Sequence, residues 1–285
     1  MSYEKEKISM KISVVMGIYN CEKTLKESLD SLLNQTYESF EIILCEDGSK
    51  DNTLKIAKDY VKNYPRKVRL IQNTTNKGLA YSLNRCIEIS KGEYIARMDA
   101  DDISYKDRLE KQMHYLESHP EFALVGSQVF LFNDDGIWGV RKTKNIPLKK
   151  DFLFGSQFIH PTIIIKKEVL NQIGNYTVSK ATLRAEDYDL FMRLYAAGFK
   201  GYNMKDILLN YREDSEAFKK RAYKYRFGEA KVRYNGFKIM NLMPLGLIYV
   251  LKPLIVGLIP QKILTHLRHQ DLDSNLFDET THPTV

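Results

Sequence analysis

Short apolar runs alternate with stretches of helical period from the N-terminus onward. Ile12 to Met16 is an apolar run rich in β-branched residues, and Thr24 to Leu33 sets Leu25, Leu29, Leu32 and Leu33 at helical spacing. Phe40 to Cys45 predicts a second strand, Thr53 to Tyr64 a helix, Val68 to Gln72 a strand, Leu79 to Ile89 a helix and Glu93 to Met98 a fourth strand. Repeated βα units over residues 12–98 predict an α/β fold with a mainly parallel central sheet flanked by helices. A helix over Asp107 to Ser118 follows. The second half is less regular: Ala123 to Phe132 reads as an element of a strand pair, Thr162 to Ile165 as a short strand, Asp187 to Ala197 as a helix ended by Gly198, and Ile207 to Tyr211 as a last strand. This divides the chain into a domain over residues 1–212 and a helical C-terminal segment over 213–285.

In parallel sheets ligands bind beyond the carboxyl ends of the strands. Polar groups collect at each such end here: Gly17-Ile18-Tyr19-Asn20 after the first strand, Glu46-Asp47-Gly48-Ser49 after the second, Asn73 to Gly78 after the third and Asp99-Ala100-Asp101 after the fourth. No Gly-x-Gly-x-x-Gly follows the first strand and no P-loop signature occurs, which argues against a dinucleotide dehydrogenase or a P-loop NTPase. A nucleotide would have to bind through side chains such as Asp47.

Two acidic clusters carry candidate chemistry. Asp99, Asp101 and Asp102 crowd into the end of the fourth strand, and such repulsion is commonly offset by a divalent cation held on carboxylate oxygens. Taken alone, the cluster also reads as a cap for the helix that follows. Further on, Glu186-Asp187-Tyr188-Asp189 opens a helix. Acidic residues suit a helix N-terminus, but Asp187 shares a face with Leu190, Phe191 and Leu194, which predicts that it points inward, with Glu186 and Asp189 raising its proton affinity toward that of a general base. His160, just before the apolar run Thr162 to Ile165, reads either as a hydrogen-bonded structural residue or as a ligand.

Charge changes the picture when it is located. The chain of 285 residues carries a net charge of +7, yet Ser215 to His269 alone holds eleven Lys and Arg against two Glu, so the rest of the chain is slightly acidic. That argues against a nucleic-acid groove over the main domain and for a basic appendage facing an anionic surface. Lys219 to Arg233 interleaves basic residues with Tyr223, Tyr225 and Phe227, and Leu242 to Ile259 is almost wholly apolar but broken by Pro244, Lys252 and Pro253. Basic, aromatic and then apolar predicts a segment lying in a membrane interface, the alternatives being packing on the domain or in a homodimer. Cys21, Cys45 and Cys86 form no Cys-x-x-Cys motif and the N-terminus is charged, so a cytoplasmic setting is expected, peripheral on the inner face of the plasma membrane.

Taken together, the motifs resemble family 2 glycosyltransferases of the GT-A fold, particularly bacterial enzymes that build capsule, exopolysaccharide or lipopolysaccharide. The resemblance runs from about Ile12 to Tyr211 and is carried, in order, by Ser13 to Asn20, Ser31-Leu32-Leu33-Asn34-Gln35-Thr36-Tyr37, Glu46 to Asp51, Asn76-Lys77-Gly78-Leu79, Gly92-Glu93-Tyr94-Ile95, Asp99-Ala100-Asp101 and Glu186-Asp187. Gly17 stands where the family more often has Pro, and Glu46 where it has Asp. The resemblance implies that Ile18, Tyr19, Asn20, Asp47, Gly78, Asp99 and Ala100 bind a nucleotide-sugar donor, with Asp47 on the base. It implies that Asp101, with Asp99 and His160, meets Mn²⁺ or Mg²⁺, and that Asp187, beside Glu186, is the base of an inverting transfer to a saccharide or lipid-linked acceptor. A nucleotidyltransferase and a non-catalytic nucleotide-sugar-binding protein are the rival readings; the first would want a Gly- and Lys/Arg-rich loop after the first strand, which Gly17 to Cys21 does not supply.

Overall fold

A computed structural model describes residues 10–213, 223–256 and 258. The expected βα alternation is present: β1 (Ile12–Ile18), α1 (Leu25–Leu33), β2 (Phe40–Glu46), α2 (Thr53–Asn63), β3 (Val68–Gln72), α3 (Leu79–Ile89) and β4 (Tyr94–Arg97). β5 (Ile103–Ser104), α4 (Arg108–Ser118), β6 (Leu124–Asn133), β7 (Gly136–Arg141), β8 (Ile164–Lys166), α5 (Lys167–Ile173), α6 (Glu186–Ala196), β9 (Gly201–Arg212), α7 (Lys224–Ile239) and α8 (Leu247–Val256) complete the described chain.

One sheet runs in the order β3-β2-β1-β4-β8-β6-β9-β5, with β7 paired to β6. Strands β3, β2, β1 and β4 are mutually parallel, as the crossover helices require. Beyond β4 the sheet is mixed: β8 is antiparallel to both β4 and β6, while β6 and β9 run parallel. The parallel arrangement expected from the alternation therefore holds for the first half only. β9, with 12 residues, is more than twice as long as the expected strand. It extends across Lys205 and Asp206, two exposed residues that interrupt the apolar signal on a strand whose other positions are largely covered.

Strand alternation divides the core into two layers. Val14, Met16, Ile18, Ile42 and Leu44 face α1, α2 and α4, whereas Val15, Ile43 and Cys45 face α3 and α6. α6 buries Tyr188, Leu190, Phe191, Met192, Leu194 and Tyr195. At about 1.5–3 kcal/mol for each large apolar side chain removed from water, this face anchors the acidic N-terminus of α6 firmly. α7 packs on α6 through Gly236, where a Cβ would collide with the Met192 side chain, and α8 packs on α7. Among the described residues no helix is long and apolar enough to cross a membrane. The expected C-terminal segment is helical over α7 and α8, and residues 259–285 lie outside the described residues.

Candidate active site

The loops after β1, β2, β3 and β4 meet at one edge of the sheet, and hydrogen bonds between side chains and backbone tie them together. Asn20, with φ +48°, donates its backbone N–H to Ser49 Oγ at 3.0 Å and accepts Lys50 N–H on Oδ1 at 2.8 Å, joining the β1 and β2 loops. Tyr19 is exposed beside it. Ser28 Oγ on α1 donates to the carbonyl of Asp99 at 3.0 Å, which ties the β4 loop to the first helix.

Asp47 is 4% exposed and is already heavily engaged. Its Oδ1 accepts Asn73 Nδ2 at 2.7 Å and Lys77 N–H at 2.8 Å, and its Oδ2 accepts Gly78 N–H at 2.8 Å. The carboxylate thus caps the approach to α3, whose unpaired first-turn N–H groups favour negative charge. Gly78 precedes that helix with φ +89°, a conformation that strains any L side chain. Of four lone-pair directions on the Asp47 carboxylate three are taken, so a ligand reaching Asp47 would find one left on Oδ2.

At the end of β4 the three carboxylates expected to gather do so. One ligand atom from each of Asp99, Asp101 and Asp102 lies within 4.8 Å of the others. Asp102, the member of the cluster left without a specific ligand role in the sequence reading, is 1% exposed; its Oδ1 accepts Arg212 N–H at 2.9 Å and its Oδ2 is buried without a partner. Asp101 as a residue reaches solvent, but its carboxyl sits inside the crowded turn. Partial withdrawal from water and the Asp99 charge push it up to about 6. Burial, then Asp99 and Asp101, push Asp102 well above the usual carboxylate range. Three crowded oxygen donors with raised proton affinity, one of them orphaned, fit a hard divalent cation.

Arg97, the last residue of β4, is 3% exposed and is ion-paired with Asp99 through Nη2. Its Nε and Nη1 have no hydrogen-bond partner. This guanidinium was not singled out from the sequence, although an arginine inside the apolar run Ile95-Ala96-Arg97-Met98 is itself a signal, since a buried cation demands an anion nearby. Asp101, Asp102, Glu186, His160 and Tyr176 all lie within its electrostatic reach.

His160 does not join the carboxylate group. It opens a short 3₁₀ turn (His160–Thr162), and its Nε2 lies 2.7 Å from Tyr176 Oη while its ring stands edge-on to Tyr176 and Phe191. Burial, and then the Arg97 charge, hold its pKa well below the ordinary value, so the imidazole is neutral. Neutrality suits both a hydrogen-bonded residue and a ligand. Tyr176, raised by burial, feels Arg97 on one side and Asp187 and Glu186 on the other, so Arg97, His160 and Tyr176 form a buried link between the two acidic clusters.

The second cluster begins α6 as expected. Arg184 has φ +65°, an uncommon conformation for a non-glycine residue, two residues before Glu186. Asp187 is half-buried: the face it shares with Leu190, Phe191 and Leu194 is buried as expected, and Asp187 stands in the first turn of α6 at the edge of that face. Asp189 is engaged elsewhere. Its Oδ2 accepts Arg193 Nε at 2.9 Å and Thr177 Oγ1 at 2.7 Å. The neighbour with altered proton affinity is Glu186, pushed up to about 7 by burial first and by Asp187 second. A cleft of about 350 Å³ adjoins Glu186, lined on the other side by Lys77, Gly78, Leu79 and Ala80.

A profile of glycosyl transferase family 2 matches residues 13–190, spanning every one of these loops. The chain is a family 2 glycosyltransferase. EpsE of Bacillus subtilis (strain 168), a glycosyltransferase by name, is 42% identical to this transferase over 254 residues, 89% of this chain and 91% of its own. The amylovoran biosynthesis glycosyltransferase AmsE of Erwinia amylovora is 30% identical over 269 residues, 91% of this chain and 98% of its own. Among solved structures, S. aureus TarS 1–349 in complex with UDP-GlcNAc matches with a TM-score of 0.66 at 20% identity, covering 81% of this chain and 70% of that chain. The shared fold is the GT-A fold, and family membership sets the nucleotidyltransferase reading aside.

Proposed function

We propose that this glycosyltransferase performs an inverting transfer of a hexose from a nucleotide-sugar donor, a UDP-sugar, to a saccharide or lipid-linked acceptor in bacterial surface-polysaccharide synthesis. The observation that carries the reading is the crowded carboxylate group Asp99-Asp101-Asp102 at the end of β4, ion-paired with the buried Arg97, with a second acidic pair, Glu186-Asp187, opening α6 near enough for Glu186 to feel the same cation. In this reading the donor base lies against the Ile18-Tyr19-Asn20 loop and the free lone pair of Asp47, with Gly78 leaving room for it. The diphosphate lies over Asp99, Ala100 and Asp101.

Asp101 and Asp99, with the orphaned oxygen of Asp102, would hold Mn²⁺ or Mg²⁺. Bound there, the ion supplies positive charge against the diphosphate that departs. His160, whose Nε2 is engaged with Tyr176, stands outside this set. Asp187 takes the proton of the acceptor hydroxyl while that oxygen bonds to the anomeric carbon. The bond from that carbon to the phosphate oxygen breaks, and its electron pair leaves with the nucleoside diphosphate. Attack opposite the leaving group inverts the anomeric centre. Glu186, titrating near neutrality beside Asp187, tunes the base.

The net positive charge of the C-terminal segment supports an acceptor presented at the cytoplasmic face of the plasma membrane, with the enzyme peripheral to it. The test is UDP release from a panel of UDP-sugars on adding acceptor with and without Mn²⁺, repeated with Asp187→Asn. The variant should lose turnover and keep nucleotide affinity. Retained turnover removes Asp187 from its role, and donor binding without any release favours the non-catalytic reading.

A further inference from the structure

α7 and α8 present two stripes to solvent that no other part of the described chain covers. On α8 and just past it, Ile248, Leu251, Ile255 and Leu258 follow helical spacing at 73%, 54%, 61% and 74% exposure. The opposite side of the same helix carries Tyr249, Val250 and the buried Pro253 against the core. On α7, Phe227, Lys231, Tyr234 and Lys238 recur at the same spacing, all exposed, while Val232, Arg233, Phe237 and Met240 are buried behind them. An aliphatic stripe next to an alternating aromatic and lysine stripe is the arrangement of a helix pair that lies in a lipid interface.

We infer that these two stripes form one docking face for an anionic bilayer, with α8 entering the acyl boundary in the plane of the membrane and Lys231, Lys238 and Lys252 meeting lipid phosphates. Over its described residues α8 has 10 residues and spans about 15 Å, half of a hydrocarbon core, a length suited to lying on the bilayer. Charge decides between a bilayer and a second copy of the chain. The single carboxylate in 223–256, Glu229, is taken by Arg226 and Arg233, so the face offers cations with no acidic group to receive them. A two-fold copy would set lysine against lysine, whereas lipid phosphate complements them.

The inference rests on reading the chain as a transferase that meets its acceptor at a membrane, and it places the face close to the chemistry. α8 packs on α7 and α7 on α6, whose first residues are Glu186 and Asp187, while Arg184 stacks over Tyr225 of α7 at 5.6 Å. An acceptor anchored in lipid would therefore meet these carboxylates one helix away from the surface that holds it.

The test is sedimentation of the full chain with vesicles of phosphatidylcholine alone or mixed with phosphatidylglycerol, with Mn²⁺-dependent UDP release on a water-soluble acceptor measured in parallel. Binding to the anionic vesicles is expected, weakening as salt rises. Ile248→Glu with Leu251→Glu should cut partitioning about tenfold per site, and Lys231→Glu with Lys238→Glu about fivefold per site on anionic vesicles alone. Both pairs should leave UDP release on the soluble acceptor unchanged, so loss of that activity in the parent chain would strike the transferase reading and not the docking face. Failure of the parent chain to sediment with anionic vesicles overturns the inference. So does a dimer in light scattering that the Ile248→Glu, Leu251→Glu pair dissolves.

Discussion

Replacing Asp47 with Asn removes one charge and converts one oxygen into a donor, with almost no change of volume. Three donors converge on this carboxylate: Asn73 Nδ2, Lys77 N–H and Gly78 N–H, at 2.7–2.8 Å. In either flip of the new amide, one backbone N–H that now meets an acceptor faces an NH₂ group instead. The bonds that remain fall from charge-assisted to neutral strength, from about 1.5–3 to about 1 kcal/mol each, and the misplaced donor adds about 1–3 kcal/mol of unsatisfied polar burial at a residue 4% exposed. Water at the exposed backbone of Lys77 recovers part of this, leaving a net loss of about 2–4 kcal/mol. Urea unfolding followed by far-UV circular dichroism measures it as a lower midpoint at constant m-value. UDP affinity, followed by calorimetry, should fall as well, since the approach to α3 and the face offered to the base move together. A stability change below about 0.5 kcal/mol would refute the capping role given to Asp47, whatever happens to UDP binding.

Glu186 holds a proton in the folded state up to about 7 that the unfolded chain releases near 4.5. Its ionisation therefore costs stability as pH rises through that window, and Glu186→Gln should flatten the loss between pH 4.5 and 7 in a comparison of thermal midpoints. Arg97→Met strips the cation from three crowded carboxylates; a loss of about 3–5 kcal/mol at neutral pH is expected, smaller in acid and partly restored by millimolar Mn²⁺ in thermal shift. A midpoint indifferent to both pH and Mn²⁺ would contradict the proposed balance of charge. Asp101→Asn should weaken Mn²⁺ binding by calorimetry at least tenfold and depress UDP release in step, while leaving the unfolding midpoint in metal-free buffer unchanged or higher, since one repelling charge is gone.

The order of elements in the first half was legible because helix and strand periods are local properties. β3 and α3 appear on the residues predicted for them, and α1, α2 and α4 differ by a residue or so at their ends. Asp47, Asp99 and Asp101 stand just past the strand ends where the spacing put them, since loops at strand ends are set by the strands before them, and Glu186-Asp187 open the helix expected there. What the local pattern could not decide is how groups distant in the chain meet. The spacing put Asp187 on the face of Leu190, Phe191 and Leu194, which is buried, but its half-exposure follows from its place in the first turn of α6. The grouping of Asp102 with Asp99 and Asp101 was legible, but its burial and its partner were not, because β9 arrives from 110 residues away to bring Arg212 N–H to it. Arg97, His160 and Tyr176 meet only because β4, the turn at 160–162 and the segment before α6 converge on one buried volume. Periodicity is written in neighbours along the chain, so sequence alone determined the elements and the edge of the sheet where polar loops gather. Electrostatic partnership falls with distance through space, so only the tertiary structure decided which of those polar groups share a charge.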